Sequence, residues 1–350
     1  MRNRQTLMVL AMLLIGLSAC APGPSQRQVE LVWPLPPDEP KIKFVDIIRT
    51  NLDLAKKGGI TESIFGQEVV EGLQKPYGVA VDKDGKIYIT DLSRVLILDL
   101  KKKDYDYIGA EPGIGQLRVS IGIAAASDGR IFVTDVAAAR VYVYANGKYV
   151  AALGHKDEFM SPSGVALNEK TGLIYVSDTR LHVVKVFSLR DYSFIRTIGK
   201  NGGHLGEFNY PTNIAVDAEG KLYVVDTGNF RVQIFDKDDQ VIKVFGKPGD
   251  SPGSFARPKG IAIDSEGHIY VVDTAFQNFQ IFDQDGKILL AVGSGGIDPG
   301  EFLLPAGITI DDQDRIYVVN QVPGSLQIFQ YLGEKWKKKE EQSGAATDKK

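Results

Sequence analysis

Three histidines stand close together in the chain, His155, His182 and His204, with Asp157 and Glu158 beside the first. Imidazole and carboxylate are zinc ligands when their donor atoms converge about 2 Å from one point. Against that, each histidine lies in a loop segment of its own, where an imidazole serves equally as a packing residue. A second set of polar groups is spread over the whole chain. Asp91, Asp135, Asp178, Asp226, Asp273 and Asn320 recur at steps of 44, 43, 48, 47 and 47 residues. Such a set, one residue per repeat, reads as the cap of one turn in each repeat. The regular spacing from Asp226 to Arg231 suits an ion pair that holds a turn, and the recurrent aspartates are read in the same way. No phosphate loop or haem-attachment motif occurs. The sole cysteine is Cys20, so no intramolecular disulfide is available.

The elements that would position these groups are legible in residues 211–236, PTNIAVDAEGKLYVVDTGNFRVQIFD. Short apolar runs alternate with Asp/Gly-rich turns, which predicts a meander of short strands. One meander cannot bury both of its faces. The pattern returns as YGVAVDKDGKIYITD (77–91), IGIAAASDGRIFVTD (121–135), SGVALNEKTGLIYVSD (163–178), KGIAIDSEGHIYVVD (259–273) and AGITIDDQDRIYVVN (306–320). A period in the forties, with four short strands per unit and no helical period, predicts an all-β, six-bladed β-propeller with four antiparallel strands per blade. In such blades the connectors between blades share a face with the loops between strands two and three. His155, His182 and His204 therefore belong to that face, and His268 to the opposite one. Tyr77, Asn213, Lys259, Gln277 and Asn278 are the candidate binding residues of its rim.

Taken in order, residues 1–19 hold Arg2, Arg4 and an eleven-residue apolar run, 7–17, too short to span a bilayer well. Residues 20–40 are proline-rich and read as an extended tether, with Trp33 docking on the body. Residues 41–48, KIKFVDII, alternate like a strand, whereas the sixth repeat has only three strands of its own. The expectation is that 41–48 closes the last blade and removes its open edge. Residues 51–71 are irregular, with a short helix expected. Glycine-rich connectors carry Phe208, Phe255 and Phe302, expected to plug the seams between blades. The propeller spans 41–332, and 333–350 is expected to be a charged, flexible tail.

Two resemblances follow from these residues. Leu17-Ser18-Ala19-Cys20 resembles the bacterial lipoprotein signal, which implies cleavage before Cys20, acylation of its thiol and amine, and attachment to the cell envelope. Ala21 after the cysteine points to the outer membrane. DTGNFRVQIFD (226–236), joined to GEFNYPTNIAVDAEGKLYVVD, resembles the NHL-repeat propellers, and the likeness extends over about residues 73–330. That family includes RNA-binding and protein-binding modules and a metal-dependent lyase. Its Asn-His-Arg arginine is matched at Arg94, Arg140 and Arg231 and replaced by Val183, Asn278 and Ser325. Sugar-lactone hydrolases are similar six-bladed proteins, with carboxylate and amide metal ligands lining the channel.

Formal net charge is −3, which gives no electrostatic footprint for nucleic acid. The expected protein is a lipid-anchored monomer of the cell envelope. It would act without catalysis or cofactor, binding an envelope or extracellular protein or peptide on its loop face. The alternative is a metal-dependent lyase or hydrolase working in the central channel.

Overall fold

Alternating apolar residues flanked by Asp-x-x-Gly turns fold each repeat into a four-stranded antiparallel sheet. The structure is a computed structural model that describes residues 30–54, 70–155 and 157–347. The first sheet runs Pro76–Val81, Ile87–Asp91, Arg94–Asp99 and Asp104–Ile108. Four more follow in the same order, up to Ile288–Val292. The six innermost strands are Pro76–Val81, Ser120–Ala125, Pro162–Asn168, Pro211–Val216, Pro258–Ile263 and Pro305–Ile310. They surround a central cavity of about 290 Å³. The predicted propeller is therefore the observed fold.

The sixth sheet supplies Pro305–Ile310, Arg315–Gln321 and Gly324–Tyr331, and its outer strand is Ile42–Ile48. The ladder runs from Ile42↔Tyr331 to Ile48↔Leu326, antiparallel, as expected for a ring closed by its N-terminal strand. A fifth strand was not expected. Val32–Trp33 pairs with Ile42 and Lys43, and Trp33 packs edge-on against Phe329 at 5.7 Å. The tether expected over 20–40 thus ends earlier, since the compact unit begins at Val32. Trp33 docks on the body as expected, its apolar ring set against Phe329, and its backbone adds the unexpected strand.

The core lies between blades rather than at the centre. Each seam is filled by the facing side chains of two sheets and sealed by one connector residue. Phe208, Phe255 and Phe302 are fully buried, as expected, and Leu117, Phe159 and Leu73 take the same place elsewhere. Gly246 shows why the connectors need glycine. Its φ is +92°, and a β-carbon there would come 2.5 Å from the Phe255 ring. Three buried glutamines then clip three connectors. Gln233 accepts from Gly206 N and donates to the Glu207 carbonyl; Gln280 and Gln327 do the same with Gly253 and Ser254, and with Gly300 and Glu301.

Hydroxyls tie neighbouring inner strands together. Thr90 Oγ1 accepts from Gly78 N and donates to the Ile121 carbonyl, each at 2.7 Å, and Thr134 repeats this with Gly122 and Ser163. On the turn face, Asp82, Asp217, Asp264 and Asp311 each cap their own turn and accept from a tyrosine hydroxyl of the next strand. Residues 51–53 form a single 3-10 turn, while 55–69 lie outside the described residues.

The C-terminal segment corrects the flexible tail expected over 333–350. Glu334–Thr347 is an α-helix. Glu266 accepts from its first amide, Lys335 bonds the Asp312 carbonyl, and Lys337 pairs with Glu39 at 3.4 Å. Composition hid the element, whereas the spacing of Lys337 to Glu340 and Glu341 was the available sign of a helix.

Candidate functional site: the loop face and the channel mouth

The recurrent acids are buried caps. Asp135 accepts from the amides of Arg118 and Val119 in the incoming connector and from Ala137 and Ala138 in its own loop. Asp178 and Asp273 repeat the pattern, and Asp91 binds the amides of Gln74 and Lys75. Asn320 is the exception that explains itself. Its Oδ1 accepts from Leu303 and Leu304, but the residue three positions on is Pro323, which has no N–H. An amide is needed there, and Nδ2 donates to the carbonyls of Val322 and Pro323. Arg231 makes the expected ion pair with Asp226 at 2.8 Å, and Arg94 pairs with Asp91 at 3.3 Å. Arg140 instead donates to the His155 carbonyl.

The three histidines are not gathered into a ligand set. His182 has φ +59°, and its Nδ1 accepts from Tyr210 N at 3.0 Å, so its lone pair holds a turn. His204 N donates to Glu207, and the His155 and His204 carbonyls take arginine donors. Among the described residues, no three His, Cys, Asp or Glu side chains converge as a metal site. The channel wall does not fit the lactone-hydrolase pattern either. It is built of Val, Ile, Ala and Leu with four glycines and Thr309, and among its described residues Glu169 is the one carboxylate and Asn213 the one amide. Glu169 lies in a turn at the far end, bonded to Ser127.

Of the rim candidates, three meet and two do not. The second residue of each inner strand frames the loop-face mouth of the channel. In the repeats these are Tyr77, Ile121, Ser163, Thr212, Lys259 and Ala306. The third residue is glycine in five repeats and Asn213 in the fourth. The glycines are required by close approach: a β-carbon on Gly78 would lie 2.4 Å from the Ile121 carbonyl. Tyr77, in the first blade, reaches across the mouth to the amide of Asn213 in the fourth. Burial raises its hydroxyl to about 12, and the facing amide works against that. The amide faces the hydroxyl without hydrogen-bond geometry, so Asn213 Nδ2 is buried without a partner. The Lys259 ammonium sits over the Tyr77 ring, 5.1 Å from its centre. Gln277, by contrast, is a left-handed turn residue bonded to the Leu303 carbonyl, and Asn278 begins the third strand beside it.

Lys259 is the unsettled group in this arrangement. Among the described residues it forms no ion pair and no hydrogen bond. Burial first, then the positive charges of Arg257 and Lys75, bring its pKa down to about 8. An unfolded lysine titrates near 10.4. Between those values the unfolded chain holds the proton that the folded chain has lost, so stability rises with pH across this window. Replacing Lys259 by Met is expected to raise the melting temperature at pH 7 by about 2–5 °C and to flatten the rise between pH 8 and 10. Scanning calorimetry at several pH values reads both effects, and a lower melt at pH 7 contradicts the placement of the charge.

The two ends of the ring differ in surface chemistry. Exposed Leu92, Val119, Met160, Tyr210, Leu304 and Val322 all lie on the loop face. Three more crown the connectors: Ile114 at 86% exposure, Leu205 at 69% and Ile297 at 56%. The opposite face consists of the Asp-, Lys- and Gly-rich turns. Exposed apolar side chains grouped on one face mark an interaction surface. Sequence reasoning missed this ring, Arg257 and Lys75. The glycine-to-Asn213 departure and the lone lysine at the second strand position were the available signals.

Six sheets around one central channel define a six-bladed β-propeller. The chain belongs to the SMP-30/gluconolactonase/LRE-like family, whose model matches residues 37–256. A 6-bladed β-propeller model matches residues 265–342. Human NHL repeat-containing protein 3 is 36% identical over 72 residues, 20% of this chain and 21% of that protein. The chain thus spans about a fifth of the length of the curated relatives it matches. Virginiamycin B lyase from Staphylococcus aureus superposes with a TM-score of 0.56 at 14% identity, over 83% of this chain and 99% of that one. A chain of the nidogen/laminin complex gives 0.56 at 20% identity, over 69% and 88%. These likenesses are of fold.

Proposed function

We infer that this protein is a membrane-anchored binding module that docks a protein or peptide segment on the loop face of its propeller. The observation that carries the reading is the one-sided surface: exposed Ile114, Leu205 and Ile297 crown the face that also holds the Lys259 mouth. Arg257 and Lys75 add positive charge there, so the complementary segment is apolar with an acidic group. The anchor rests on the sequence pattern ending at Cys20, which lies outside the described residues, and it places the body in the bacterial cell envelope, at the outer membrane. In the nidogen/laminin complex, a propeller of similar fold takes part in a protein–protein assembly.

Affinity capture from membrane extract tests the reading. Replacing Ile114, Leu205 and Ile297 together by Ser should cut partner recovery at least tenfold while moving the melting temperature by no more than about 2 °C, since exposed positions contribute little to stability. Equal recovery by the triple variant overturns it.

Membership of a family named for gluconolactonase favours a second reading, an enzyme acting in the channel. Its test is metal analysis and turnover of a panel of sugar lactones by purified protein. Stoichiometric zinc or calcium with turnover would replace the binding reading.

A further inference from the structure

A charge taken out of water is normally paired, yet the Lys259 ammonium has an aromatic ring beside it and no acceptor to complete it. Its surroundings are rich in donors. Asn213 Nδ2 is buried and unpartnered, and the Tyr77 hydroxyl points into the same mouth. Arg257 and Lys75 stand exposed at the edge and lower the Lys259 pKa by repulsion. What is missing is an anion of modest size, with acceptor oxygens for an ammonium, a hydroxyl and an amide.

We propose that the channel mouth is a carboxylate site, in which one carboxylate seats against Lys259 Nζ and accepts from Tyr77 Oη and Asn213 Nδ2. A carboxylate has two oxygens and about four lone-pair positions, which three donors can satisfy. Its single charge matches the single ammonium. Apolar side chains crown the same face, so the carboxylate arrives on a ligand with an apolar flank. Two sources share this chemistry: the C-terminal carboxylate of a docked peptide and a free small acid. The proposal deepens the loop-face reading and rests on it for the face that is used. The lone lysine whose burial costs stability is then a binding residue, and its unfavourable charge is relieved by the ligand.

The experiment follows acetylation of Lys259 in the full-length protein at pH 7.5, using a neutral N-hydroxysuccinimide ester and peptide mass spectrometry. The probes are sodium propionate, N-acetyl-Ala-Ala-Leu as the free acid, its C-terminal amide, and inorganic phosphate, each against chloride at equal ionic strength. A carboxylate is expected to slow acetylation at least threefold, and Tyr77→Phe to reduce that protection at least twofold. Greater protection by the free-acid peptide identifies a chain terminus, and equal protection by propionate identifies a small acid; both uphold the site. No protection by either acid overturns it, as does equal protection by the amide or by phosphate. Melting curves give a second readout, since propionate should raise the transition of the wild type and leave Lys259→Met unmoved. If the acids fail to protect while the Ile114, Leu205 and Ile297 variant still loses its partner, the carboxylate falls and docking stands. If they protect while capture is unaffected, docking falls and the carboxylate stands.

Discussion

A chain lacking residues 30–48 is expected to lose its cooperative melt and to aggregate on warming. The segment contributes Ile42 and Ile48, both buried, and the Phe44 ring, which stands edge-on to Phe329 at 5.6 Å. Two buried isoleucines are worth about 1.5–3 kcal/mol each. The hydrogen-bonded ladder from Ile42 to Ile48 adds about 1 kcal/mol per bond. Together these are on the order of 5–10 kcal/mol, comparable with the whole stability of an ordinary domain. Removal also bares the edge of Gly324–Tyr331, a strand that is buried over most of its length. Calorimetry and light scattering read the result. A synthetic peptide of residues 30–48, added in trans, should restore the melt in part. A truncated protein that melts like the full chain would show that the sixth sheet stands without its borrowed strand.

Cys20→Ser is expected to move the protein from the membrane pellet to the supernatant, with at least a tenfold drop in the pelleted fraction. The physical reason is additive burial of methylene groups, about 0.8 kcal/mol each. One acyl chain binds only weakly and reversibly, whereas two or more at one terminus hold a folded body at the surface. Among the described residues no helix is long and apolar enough to cross a membrane, so the variant has no helical span there to fall back on. Labelling with radioactive palmitate should mark the wild type and leave the variant blank. A mature chain that begins upstream of Cys20 and still pellets would sink the anchor.

Much of the ring was legible because the repeat is strong. Each copy pairs an apolar run with an acid at its end, or in the sixth with Asn320, so counting copies counts blades. The borrowed strand was legible by subtraction: the sixth copy was one strand short, and residues 41–48 alternate. Trp33 was expected to dock on the body and does so on Phe329, but the two-residue strand it belongs to was missed, because proline composition hides so short a ladder. The C-terminal helix was missed because a charged run was weighed by composition and not by spacing. At the site, Tyr77 and Lys259 stood out as departures from the small or aliphatic residues that fill the same position elsewhere. Their meeting with Asn213 depends on the ring itself, since blades one and four face each other only when there are six. Gln277 and Asn278 looked like rim residues because they are polar and follow a loop. Positive φ at Gln277 and its bond to the Leu303 carbonyl turn it to structural use.

The borrowed strand also sets an order of events. Five sheets take all four strands from one continuous stretch and can form as that stretch is synthesised. The sixth joins Ile42–Ile48 to Gly324–Tyr331, so a strand made near the start must stay unpaired until the last repeat is complete. Contacts so distant in sequence form slowly. In a concentrated solution of half-made rings, the waiting strand of one molecule fits the open sheet of another equally well. The chain carries within its own topology a route to a strand-exchanged dimer with the same contacts as the monomer.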